Sequence, residues 1–221
     1  MEPETLRLFV ALEIPAAWRE GVAREIARVA RWDPHARTVP AENVHVTLAF
    51  LGATPAGRVA EVAAAMRAAA DGVVAAKARL EGLGAFPSVE RPRVVWAGLS
   101  EEAGAPPLAA LASRLREALA RAGFALDARE RFHAHVTLAR VERRPSAELE
   151  KGLTAGRLQS TYTTQMLSDL VLMVSHATPG GSRYRALERV ALAGMPAGRD
   201  GSDSSAPSPG TTAPGERPTA S

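Results

Sequence analysis

Hydrophobic and polar positions along the chain alternate between two periods. Thr5 to Glu13 is apolar with β-branched and aromatic members and stops before Pro15, which predicts a strand. From Pro15 to Arg31, Trp18, Val22, Ile26 and Val29 recur at helical spacing with Arg and Glu between them. His45 to Leu51 alternates and is expected to end at Gly52, and Pro55 to Ala70 places Val59, Val62 and Met66 on one helical face. Leu80 to Phe86 is a weaker strand interrupted by glycine. Arg93 to Leu99 is a stronger one, followed past Pro106-Pro107 by a helix from Leu108 to about Ala122 and Gly123. A strand at His135 to Val141, a short helix from Ser146 to about Leu153, a long strand near Thr163 to His176 and a last strand Tyr184 to Ala191 complete the pattern, with Pro179-Gly180-Gly181 as a turn. Beyond Pro196 no large apolar residue occurs, so residues 196–221 are expected to be a disordered Pro/Ser/Gly/Thr-rich tail.

The pattern repeats. Arg7-Leu8-Phe9-Val10-Ala11, a helix, then His45-Val46-Thr47-Leu48-Ala49 has its counterpart in Arg93-Val94-Val95-Trp96-Ala97, a helix, and His135-Val136-Thr137-Leu138-Ala139, at offsets of 86 and 90 residues. One folded unit over 1–195 is expected, made of internal repeats at about 5–86 and 91–192. Composition alone predicts about 0.3 copies of His-x-Thr in a chain with five histidines. Two copies sharing five residues indicate duplication.

On a strand His45 and Thr47 project together, as do His135 and Thr137, while Val46, Leu48, Val136 and Leu138 point the other way. Two imidazoles and two hydroxyls facing across a cleft suit phosphodiester hydrolysis. A base takes a proton from water, an acid gives one to the departing oxygen, and hydroxyls bind the phosphoryl oxygens. Histidine, with an ordinary pKa near 6.5, can fill either role. A half-buried polar pair is the bland alternative for a single copy. A metal site is another, since His133 and His135 share a face and His45 or His176 could complete a ligand set; against it, the first repeat has Asn43 where the second has His133. His35 has no partner by sequence and reads as surface.

Other features bound the chemistry. There is no cysteine, which removes disulfides, thiolate nucleophiles and Cys-ligated metals, and 27 Lys and Arg against 24 Asp and Glu leave a net charge of +3, too small to announce a partner. No apolar run approaches the roughly 18 residues of a membrane span, and Glu2 and Glu4 stand where an export signal would be basic. A cytoplasmic protein is expected.

Asn43-Val44-His45-Val46-Thr47-Leu48-Ala49-Phe50-Leu51-Gly52 and Phe132-His133-Ala134-His135-Val136-Thr137-Leu138-Ala139-Arg140 closely resemble the two motifs of the two-histidine (2H) phosphoesterase superfamily. Within it the chain is similar to the bacterial and archaeal RNA 2′,3′-cyclic phosphodiesterases, the LigT-like or 2′-5′ RNA ligase group. The runs at Arg7, at Arg93 and at Gly180-Gly181-Ser182-Arg183-Tyr184 are family-like as well. Ala134 departs from a frequent proline and removes no chemical group.

The resemblance implies a bilobal, duplicated α+β fold, two antiparallel sheets with outer helices around a central cleft. It implies metal-independent, cofactor-free opening of an RNA 2′,3′-cyclic phosphate to a 2′-phosphomonoester, with His45 as proton donor, His135 as proton acceptor, and Thr47 and Thr137 on the phosphoryl oxygens. The two motifs are identical, so the residues alone do not separate acid from base. The partners implied are RNA with 2′,3′-cyclic phosphate termini or related small nucleotides, met by a monomer. Joining or cleaving 2′-5′ linkages at the same site, and a non-catalytic RNA-end binding module, stay open.

Among further contacts, Arg140 lies opposite His135 on a regular strand and reaches a phosphate only where the strand twists or bulges. Arg93 is a similar candidate. Phe50 reads as core, whereas Phe132 and Tyr184 are candidates for base stacking.

Overall fold

The computed structural model describes residues 4–104, 107–127, 131–178 and 181–194. The tail beyond Pro196, Pro106, and Pro179 and Gly180 of the expected turn lie outside them. In chain order the elements are β1 (Thr5–Glu13), α1 (Ala16–Trp32), β2 (Arg37–Thr38), β3 (His45–Pro55), α2 (Val59–Ala70), β4 (Ala76–Pro87), β5 (Pro92–Glu101), α3 (Leu108–Arg121), β6 (His135–Arg140), α4 (Ala147–Ala155), β7 (Gln165–Leu167), β8 (Asp169–Thr178) and β9 (Gly181–Ala191). They form two antiparallel sheets, β3-β1-β8-β9 and β2-β6-β5-β4-β7.

Each sheet is backed by helices that bury an apolar stripe. On α1, Trp18, Val22 and Val29 are buried, and α1 and α4 pack behind the five-stranded sheet. α3 buries Leu108, Leu111, Leu115 and Leu119, and with α2 it covers the four-stranded sheet. The Ser146 hydroxyl accepts the Leu149 N–H at 3.1 Å to start α4, and Gly156, with φ of 63°, ends it in the left-handed conformation. Among the described residues no helix is long and apolar enough to cross a membrane.

Sequence halves and spatial lobes do not coincide. β4, from the first half, pairs with β5 in the five-stranded sheet, and β8 and β9, from the second half, extend the sheet built on β1. What is conserved between halves is the unit strand, helix, motif strand: β3 pairs with β1 as β6 pairs with β5.

Three expected elements differ. The stretch from Thr163 to His176 is two strands, because β7 pairs with β4 in one sheet while β8 crosses at Ser168 to pair with β1 in the other. β4 is longer than the glycine-interrupted run suggested. Gly82, at positive φ, sits in an irregularity of the β4–β5 ladder, and a β-carbon at Gly84 would overlap the Trp96 ring, so both glycines serve the strand. β3 continues past Gly52, whose φ of 67° lets the strand shift register opposite Leu8 and run on to Pro55.

Candidate active site

The motif strands carry one matching distortion each. Along β3, Ala11 faces Thr47 while Val10 faces Ala49, so Leu48 is an extra residue. Along β6, Trp96 faces Thr137 while Val95 faces Ala139, and Leu138 is extra. Such a bulge reverses the parity of every later side chain. His45 and Thr47 therefore reach the cleft from one side of the bulge and Phe50 from the other, and His135, Thr137 and Arg140 do the same on the second strand.

Arg140 thus lines the cleft through the bulge that its recruitment required. Phe50, expected in the core, is instead 40% exposed, stacked near Phe9 with ring centroids 6.0 Å apart and covered by the Arg7 guanidinium at 5.3 Å. Arg93 does not line the cleft; its guanidinium donates to the Glu142 carbonyl at 3.2 Å. On β5 the residues that share the cleft side are Val94 and its alternates, so Arg93 falls on the other face.

The two imidazoles are held alike. His45 Nδ1 lies 2.7 Å from the Asn43 carbonyl, and His135 Nδ1 lies 2.7 Å from the His133 carbonyl. In neutral rings a carbonyl partner requires N–H at Nδ1, which leaves the Nε2 lone pair unengaged by that bond. His45 stacks on Phe9 at 4.7 Å and meets Tyr184 edge-on at 5.3 Å. His135 meets Phe86 edge-on at 5.1 Å, and His133, 6.0 Å away, leans on Trp96 at 4.8 Å.

Both motif histidines, both threonines, Phe132, Tyr184, His133 and His176 line one cleft of about 900 Å³. Its wall also contains Arg7, Phe9, Phe86, Arg116 and Arg131, which the sequence reading did not single out, and among the described residues no Asp or Glu. Alternation along β1 could have found Arg7 and Phe9, which share a face with Ala11, the partner of Thr47. Arg116 and Arg131 come from α3 and the segment before β6, where no periodicity signals a cleft. His35 is exposed and off the cleft, its N–H donating to Asp33 at 3.0 Å. Among the described residues no group of three or more His, Cys, Asp or Glu is arranged to hold a metal.

Burial sets the electrostatics. Removal from water pushes His45 down to about 4, against the pull of the Asn43 carbonyl, and His135 and Arg140 push in the same direction. His135 is also lowered, first by burial and then by neighbouring His133. Both rings are neutral near pH 7. Among the described residues the wall has no carboxylate, and an anionic ligand in the cleft would draw a proton onto an imidazole.

Similarities to known proteins agree with this arrangement. The family model described as the 2′-5′ RNA ligase superfamily matches residues 15–178. A relative from Archaeoglobus fulgidus named RNA 2′,3′-cyclic phosphodiesterase is 31% identical over 82% of this chain and 98% of its own length. One of the same name from Escherichia coli is 32% identical over 86% and 98%. Among solved structures, TT0787 of Thermus thermophilus superposes with a TM-score of 0.69 at 27% identity, covering 86% of this chain and all of that one. E. coli LigT complexed with 3′-AMP gives 0.62 at 29% identity, covering 86% and 99%. With its paired His-x-Thr strands facing one cleft, the chain belongs to the 2′-5′ RNA ligase superfamily and is a two-histidine phosphoesterase of the LigT type.

Proposed function

We propose that the cleft hydrolyses the 2′,3′-cyclic phosphodiester at an RNA terminus to a 2′-phosphomonoester. A water oxygen attacks phosphorus as His135 Nε2 takes its proton, the bond from phosphorus to the 3′ oxygen breaks, and His45 Nε2 delivers a proton to that oxygen. The hydroxyls of Thr47 and Thr137 donate to the non-bridging oxygens, and Arg140 adds charge beside them. The observation that carries this reading is the matched holding of two imidazoles, each by the carbonyl two residues earlier, on the wall of one cleft.

In this reading His45 is the donor because the nucleoside, whose 3′ oxygen is released from phosphorus while its 2′ oxygen stays bonded, lies on the side where Phe9, Phe50 and Tyr184 present aromatic surface and Arg7 a cation. A donor must carry a proton, and burial alone, which puts His45 at about 4, leaves it neutral at neutral pH. The phosphodiester anion supplies the missing charge, so substrate binding loads the proton that the reaction uses. The chemistry needs no metal or cofactor. The substrate is an RNA end or a related small nucleotide, met by a single chain in the cytoplasm.

The test is an oligonucleotide with a 2′,3′-cyclic phosphate incubated with the protein in EDTA, with the products identified. Conversion to the 2′-phosphomonoester is the expected result. No conversion, or conversion only when a metal is restored, contradicts the mechanism. Joined fragments with 2′-5′ linkages would assign the site to ligation, and salt-sensitive binding without turnover would make it an RNA-end binding module.

A further inference from the structure

The two halves use the same main-chain carbonyl to hold an imidazole, but the side chains of the residues that provide it differ. His133 leans its ring on Trp96 at 4.8 Å, within its own sheet. Asn43, at the end of the turn before β3, instead reaches across to β9, its Nδ2 donating to the Ser182 carbonyl at 2.8 Å, across 139 residues of chain.

Ser182 stands at the start of β9, two residues before Tyr184. Tyr184 closes edge-on over His45 at 5.3 Å and over Phe9 at 5.0 Å. Asn43 itself ends the turn that leaves β2, where the Val39 N–H still donates to Leu138 of β6 at 2.9 Å. A β-carbon at neighbouring Gly181 would stand 3.6 Å from the Arg37 guanidinium of β2. The start of β9 is therefore hydrogen-bonded, through Asn43, to the segment that joins the two sheets and delivers His45.

We propose that Asn43 is a positioning residue, which ties β9 to the main-chain carbonyl that orients His45 and so keeps Tyr184 and the imidazole in register. The proposal rests on the reading of His45 as a reacting group. The side-chain amide fixes the Asn43 backbone between Ser182 on one side and His45 on the other. Without it, the carbonyl loses its fixed direction, the Nδ1–H bond loosens, and Nε2 of His45 carries a proton in part of the population. A ring of that tautomer presents N–H instead of a lone pair to the cleft, and in the protonated state its direction toward the leaving oxygen is no longer set. Asn43 also lines the cleft, and Tyr184, which it keeps in register, faces the nucleoside, so the chemical step is read through the His45 tautomer and kcat and any loss of stacking through KM.

Asn43→Ala and the near-isosteric Asn43→Asp, which has no amide to donate to Ser182, are compared with the unaltered protein and with His45→Ala. Turnover of a 2′,3′-cyclic phosphate oligonucleotide is measured along with the ¹⁵N NMR signals of the imidazoles. Both Asn43 variants are expected to lower kcat at least tenfold. The His45 nitrogens are expected to move from one Nδ1–H tautomer to a mixture, while those of His135 stay unchanged. A kcat within twofold of the unaltered protein overturns the proposal. So does a fall in kcat with the His45 tautomer unchanged, since that is the signature of a general structural defect. If His45→Ala is itself fully active, the reading of the site fails and takes the proposal with it; if only that variant is inactive, the site stands and the role of Asn43 does not.

Discussion

Phe9 and Tyr184 wall His45 off from water, which is why the imidazole resists protonation in the folded chain. This has a consequence for stability. In the unfolded chain the ring titrates near 6.5, whereas in the fold it titrates at about 4. Between those values the unfolded state binds a proton that the native state refuses, so the stability present above about pH 6.5 is lost as pH falls toward about 4. The full loss is on the order of 3 kcal/mol from this ring, and His135, lowered by the same cause, adds to it in the same direction. Urea unfolding of the unaltered protein and of His45→Gln at pH 7.5 and pH 4.5 checks this. The unaltered protein should lose more stability on acidification than the variant; equal losses would mean that His45 is not shielded from water.

At the scale of elements, the bulges decide which side chains the cleft receives. Without the extra Leu48, Phe50 would turn to the helices, and without the extra Leu138 Arg140 would do likewise. Phe50, half-exposed under Arg7, offers a stacking face for a base, an interaction worth about 1–3 kcal/mol. Phe50→Ala is therefore expected to raise KM for the RNA terminus by roughly tenfold, leaving kcat within about threefold because the residue touches neither imidazole. A kcat effect with KM unchanged would place Phe50 in the chemistry instead. The motif strands and the amphipathic helices were legible in the sequence, since they follow from period 2 and period 3.6 alone. Phe50 was misread because alternation assumes a regular strand, and a bulge leaves no mark in the order of apolar and polar residues. The break at Ser168 was invisible for a related reason: β7 and β8 have the same alternating character, and only their partners, β4 and β1, assign them to different sheets.

Across the whole molecule, the order strand, helix, motif strand was legible in each half, and the way the halves interleave was not. Because β4 belongs to the sheet of β5 and β6, and β8 and β9 to the sheet of β1 and β3, neither half of the sequence holds a complete sheet. Fragments 1–88 and 89–195 expressed apart should each lack protected amides in hydrogen exchange and regain them on mixing; a fragment that folds alone would show that the halves are independent lobes. The same interleaving brings one His-x-Thr strand from each half to a single cleft whose wall has arginine and histidine and, among the described residues, no carboxylate. A double-mutant comparison of the two imidazoles checks this convergence. Rates of 2′,3′-cyclic phosphate opening are measured in EDTA for His45→Ala, His135→Ala and the double variant. If both rings act on one phosphorus centre, each single change should cost about 10²–10⁴ in kcat and the double change little more than either. Losses that multiply in the double variant, or a single variant that keeps full activity, would contradict it.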